Sequence, residues 1–137
     1  MRVLVIGLDA QVLDPASESA ERQLAYFEGL TADIFVLGPG KSGEVKLREN
    51  VQVFRPGGPS MLSAMWRTYQ KARHFLRTHD YDLITVQDPY LCGWIAFLAR
   101  GGASVPIQIQ DHSAAFARSA FGVKEIFKLC QIKFQRS

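Results

Sequence analysis

The chain has 137 residues, 47% of them hydrophobic and 21% charged, with a net charge of +3 at neutral pH. These proportions exclude a disordered, collagen-like or coiled-coil chain and set the expectation of one globular domain with a real core. The two cysteines, Cys92 and Cys130, stand far apart, in apolar surroundings and outside any CxxC, which argues against a disulfide framework or a zinc site and for a reducing, cytoplasmic compartment.

Val3 to Ile6 is a continuous apolar run closed by Gly7, the pattern of a parallel strand buried on both faces. Neither it nor the apolar run Leu91 to Ala99 is long enough to span a bilayer, and Asp9 ends the first without a cleavage site. Ser17 or Ser19 can cap a helix reaching about Leu30. Asp33 to Leu37 and Val51 to Phe54 read as the next strands, closed by Gly38-Pro39-Gly40 and Pro56-Gly57-Gly58. A long helix is expected from about Ser60 to Thr78, with Leu62, Met65, Tyr69, Ala72 and Leu76 on one apolar stripe. Leu83 to Val86 is a further strand ending at Gln87-Asp88-Pro89. A short apolar helix to about Arg100, a Gly-Gly turn and a strand over Val105 to Ile109 follow. Beyond it, Phe116, Ala120, Val123, Phe127, Cys130 and Phe134 recur at helical spacing.

Apolar strands joined by helix-length crossovers call for an α/β, Rossmann-like parallel sheet with helices on both faces. In such sheets ligands bind beyond the carboxyl ends of the strands, so the loops at those ends are the candidate site. Gly38-Pro39-Gly40-Lys41-Ser42-Gly43 matches the letters of a dinucleotide loop. It does not open a helix, however, and reads as a turn-rich connection, so no NAD or ATP cofactor is expected there. Asp80-Tyr81-Asp82 reads as a helix-to-strand junction with surface acids and has no third carboxylate beside it, so no metal is expected. Asp88 stands at a strand tip where it can cap the next helix, line a site, or do both. His112, beside Asp111 on the loop after the last strand, can contact a sugar hydroxyl or phosphate. Alternatively, Asp111 or Ser113 caps the following helix and His112 faces water.

Two basic blocks stand out. Arg67, Lys71, Arg73 and Arg77 contain no acid between them, and Arg118 to Ser137 holds five basic residues against Glu125. Arg67, Lys71 and His74 fall opposite the apolar stripe of the long helix. That is either a solvated face or one that rests on an anionic membrane surface. Aromatic-studded basic strands are missing, so nucleic acid is not an expected partner. The last helix has Leu129 and Ile132 opposite its main stripe, which implies a covering partner or further chain.

Three stretches, Ala16 to Leu24, Asp82 to Tyr90 with Gly93, and Val105 to His112, resemble the N-terminal, acceptor-side domain of GT-B glycosyltransferases of the family-4-like retaining kind. The resemblance spans nearly the whole chain. It implies residues 1–137 as one such domain, shortened at its C-terminus and lacking the donor-binding domain. The full enzyme would move a hexose from a nucleotide-sugar to a lipid-linked or polysaccharide hydroxyl, at the inner face of the membrane. By the same resemblance, His112 faces the acceptor and the transferred sugar, Asp88 is the acidic strand tip, and Asp9, Ser17, Glu18 and Asp111 border the cleft. The family holds its donor with a glutamate pair spaced by seven residues, and Glu21 and Glu28 do not supply it. The alternative is a non-catalytic Rossmann-like module that binds a nucleotide or a partner chain.

Overall fold

The computed structural model describes residues 1–110. The chain runs through β1 (Arg2–Gly7), a 3-10 turn (Ala10–Leu13), α1 (Glu18–Tyr26), β2 (Thr31–Val36), β3 (Gly43–Arg48), β4 (Val51–Arg55), α2 (Met61–Thr78), β5 (Leu83–Val86), α3 (Leu91–Arg100) and β6 (Ile107–Ile109). The helix expected after His112 lies outside the described residues.

The six strands form one sheet in the order β3-β4-β2-β1-β5-β6. All neighbours are parallel except β3, which lies antiparallel on β4. The parallel strands alone follow the Rossmann order, with chain direction across the sheet reversing between β1 and β5. Each strand divides its residues between two cores, because successive side chains point to opposite faces. Leu4, Ile6, Phe35, Phe54, Ile84 and Val86 pack beneath α2 and α3. Val3, Val5, Ile34, Val53 and Leu83 pack on the other face with Phe27 and Leu24 from the α1 side. Helices therefore cover both faces, as all-apolar parallel strands require.

The sheet departs from the sequence reading in its β2-to-β4 link. No helix crosses there; Gly43–Arg48 is an edge strand instead of a turn-rich connection. Val45 and Leu47 alternate with Glu44, Lys46 and Arg48, which is the half-buried period-two pattern of an edge strand. The long helix starts as expected, with Ser60 and Ser63 exchanging side-chain-to-backbone hydrogen bonds at 3.0 and 3.2 Å. Its buried line is Ala64, Thr68 and Ala72, while Leu62 is 79% exposed. Small side chains set that line because they let the helix backbone settle close to the sheet.

At the amino ends of the strands, Asp33 is a buried carboxylate. Arg2 donates to its Oδ2 from Nε and Nη2 at 3.0 and 2.8 Å, and the Tyr81 hydroxyl donates to the same oxygen at 2.6 Å. Burial would lower the Arg2 pKa, but the bonds and charge of Asp33 hold it above its ordinary value. Burial, then the Asp33 bond, pushes the Tyr81 phenol up. Removing the cation leaves a buried charge with one neutral donor. Arg2→Met is therefore expected to cost about 3 kcal/mol, read from urea denaturation midpoints, and Tyr81→Phe about 1–3 kcal/mol.

Candidate functional site

The carboxyl edge of the sheet collects the loops after β1, β2, β4 and β5. Its centre is the switch point between β1 and β5. Gly7 ends β1 there, and a Cβ on it would stand 2.3 Å from the Gln87 side-chain oxygen, so glycine makes room for that amide. The cavity bounded by Gly7, Asp9, Val12 and Gln87 has a volume of about 10 Å³. That is room for about one water and not for a nucleotide.

The first loop is ordered by its own polar groups. Asp9 accepts from the Gln11 amide at 3.0 Å and from the Ser19 hydroxyl at 2.6 Å. Ser17, not Ser19, caps α1. Its hydroxyl accepts from the Ala20 amide at 3.1 Å and donates to the Gln11 carbonyl at 2.6 Å. Glu18 opens the helix and stays exposed, where its charge meets the positive end of the helix dipole. Asp9, Ser17 and Glu18 thus share one loop at the end of β1, with Asp88 at the tip of the adjacent β5. Asp111 and His112 lie outside the described residues.

Asp88 caps α3 with both carboxylate oxygens. Oδ1 accepts from the Tyr90 amide at 3.2 Å, and Oδ2 accepts from Leu91 and Cys92 at 2.6 and 3.2 Å. Three amides that a helix start leaves without partners are satisfied by one side chain. The Cys92 thiol beneath it is pushed up to about 12, chiefly by burial and then by the Asp88 charge. It is not a nucleophile at neutral pH. Among the described residues no cluster of His, Cys, Asp or Glu is placed to hold a metal.

Away from the switch point, the loops after β2 and β4 are tied together. Gly40 and Gly58 exchange two backbone hydrogen bonds at 2.8 and 2.9 Å. Gly57 has φ +68°, and a Cβ there would meet the Gly40 carbonyl oxygen at 2.5 Å, so only glycine fits. The sequence reading treated these two loops separately; their pairing depends on β3, which brings the chain back alongside β4.

No family model matches the sequence, and no curated protein matches it. In structure the chain is similar to the C-terminal domain of a hydrogenase from Pyrococcus furiosus, with a TM-score of 0.52 and 18% identity over 80% of this chain and 90% of that one. A likeness at that identity establishes the α/β, Rossmann-like fold and nothing about chemistry.

Two outcomes follow from the site geometry. Asp88→Ala strands the three amides and should lower stability by about 1–2 kcal/mol in thermal or urea melts. In alkali, the unfolded chain releases the Cys92 proton above its ordinary value of 9.0, while the folded chain keeps it to about 12. Stability from this group is complete below pH 9.0 and falls as pH rises toward 12. In a Cys130→Ser background, alkylation should fail in native buffer and proceed in denaturant.

Proposed function

We propose that this chain supplies the acceptor-side half of a retaining glycosyltransferase, moving a hexose from a nucleotide-sugar to a hydroxyl acceptor. The supporting observation is where the resembling stretches fall. Asp82 to Tyr90 covers β5 and its tip, and Ala16 to Leu24 covers the start of α1. Both border the carboxyl edge at the switch point, which is where ligands meet such sheets. The switch-point cavity of about 10 Å³ cannot enclose a donor. The edge is suited to be one wall of a cleft whose other wall holds the nucleotide.

In this reading Asp9, Ser17, Glu18 and Asp88 shape the acceptor wall, and His112 and Asp111, which follow β6 in sequence, complete it. The anomeric carbon's bond to the diphosphate breaks, a bond to the acceptor oxygen forms, and the hydroxyl proton leaves with the departing diphosphate. The rate comes from holding the acceptor in line and from stabilising the leaving charge. Purified residues 1–137 should give no transfer of labelled hexose. The coding DNA beyond the Ser137 codon should run on into a second β/α domain carrying the family's glutamate pair. A stop codon there, or transfer by 1–137 alone, would sink the proposal.

A membrane contact belongs to the same proposal. No helix among the described residues is long and apolar enough to cross a membrane. Nevertheless α3 exposes Trp94, Phe97 and Leu98, Tyr90 just before it is exposed too, and the neighbouring α2 exposes Leu62 and Trp66. Arg73 and Arg77 sit on α2 as well. Aromatic groups flanked by cations suit the headgroup region of an anionic bilayer. In co-sedimentation with phosphatidylserine vesicles, Trp94→Ala with Phe97→Ala should weaken binding about tenfold. Binding unchanged by that pair would remove the membrane from the proposal.

A further inference from the structure

The sheet edge formed by β3 carries a feature that the switch-point reading leaves unused. An open groove of about 530 Å³ lies between one flank of α2 and the β3–β4 edge. A second hollow of about 600 Å³ adjoins it at the Gly40–Gly58 loops, and the two share Ser42 and Arg67. Lys41, Arg55, Arg67, Lys71 and His74 line this double groove, against one acid, Glu44.

Among the described residues no ion pair neutralises that charge. The helix from Met61 to Thr78 contains no Asp or Glu, so the i, i+4 pairing that quiets a solvated basic face is unavailable to it. Arg2–Asp33 is the only ion pair among the described residues, and it sits at the amino ends of β1 and β2. The groove's cations make weaker arrangements. Lys71 Nζ lies 4.8 Å from the centre of the Phe54 ring. Arg55 donates from Nη2 to the Pro39 carbonyl, while its buried Nε has no partner among the described residues. Beneath Lys71, Phe54 stacks on Phe35 with ring centres 5.4 Å apart, and Phe75 meets both edge-on at 5.1 Å.

Like charges gathered in a concave, partly apolar site repel one another unless an anion joins them. Guanidinium groups favour planar, paired contacts to phosphate oxygens, and a lysine adds a mobile point charge. Two adjoining hollows with Arg67 between them suit a ligand with two anionic centres, or one centre and a sugar-sized body.

We infer that this groove binds a small phosphate-bearing ligand, a diphosphate or a phosphorylated sugar, with Arg67 as the central contact. The site lies on the β3 side of the sheet and does not depend on the glycosyltransferase reading. Titration calorimetry of the whole chain with inorganic pyrophosphate at low ionic strength tests it. Saturable binding is expected, weakened about tenfold or more in Arg67→Ala/Lys71→Ala. Arg22→Ala/Arg48→Ala removes the same charge from exposed positions outside the groove and should leave binding within about twofold. Circular dichroism melts show whether each variant folds. Lack of saturation, or equal weakening by both pairs, overturns the inference, since either outcome means diffuse attraction only. A second arm uses phosphatidic acid vesicles. If they bind and pyrophosphate competes, the groove takes the phosphate of a lipid headgroup. In a Trp94→Ala/Phe97→Ala chain, which lacks the aromatic membrane contact of α3, vesicle binding that pyrophosphate does not displace counts against the groove as a phosphate site.

Discussion

A carboxylate inside a protein must be paired, or its desolvation works against folding by several kcal/mol. Asp33 meets that demand by collecting Arg2 from β1 and Tyr81 from the approach to β5 onto a single oxygen. Arg2 is also anchored through its backbone, where its amide donates to Asp82 and its carbonyl accepts from the Asp82 amide, each at 2.8 Å. Three neighbouring strands are thereby held at their amino ends by groups that tolerate no slip. A shift of β1 or β2 by one residue would turn Arg2 or Asp33 to the opposite face and leave the charge alone.

Fixing the amino edge this way frees the carboxyl edge from structural duty in the strands themselves. The loops there are organised locally, by Asp9 on Ser19, Ser17 on α1, Asp88 on α3 and the Gly40–Gly58 pair. The first three act between residues close along the chain, whereas the Gly40–Gly58 pair joins the loops after β2 and β4. That division of labour is what lets one Rossmann-like scaffold carry many chemistries.

Much of this was legible in the chain. Apolar runs closed by Gly or Pro marked β1, β2, β4 and β5, since strands buried on both faces have few polar positions to disguise them. Ser60 and Asp88 announced their helices because capping is local chemistry. What escaped was either nonlocal or polar. Arg2, Asp33 and Tyr81 are 31 and 48 positions apart along the chain, and no local pattern joins them. In β3, the alternation of Glu44, Val45, Lys46, Leu47 and Arg48 was present, but its charge and the preceding Gly-Pro-Gly made it resemble a loop. On α2 the expected stripe holds at Met65, Tyr69, Ala72 and Leu76, which pack on the core, and fails at the exposed Leu62, while the fully buried Ala64 and Thr68 escaped because periodicity weighs large apolar residues. Of the candidate site, Asp9, Ser17, Glu18 and Asp88 fall at one edge as the strand order required. Their fine structure is set by hydrogen bonds that no sequence spacing reveals.

The two margins of the sheet differ in how they would meet another strand. β3 turns outward a run bearing Glu44, Lys46 and Arg48, and its pairing with β4 slips between Lys46 and Arg48. Charge and irregularity of that kind discourage edge-to-edge addition and so guard against aggregation. Among the described residues β6 is the opposite margin, three residues of Ile-Gln-Ile without a charge. The described sheet is therefore guarded unequally: β3 resists a further strand by charge and irregularity, and β6 carries neither device.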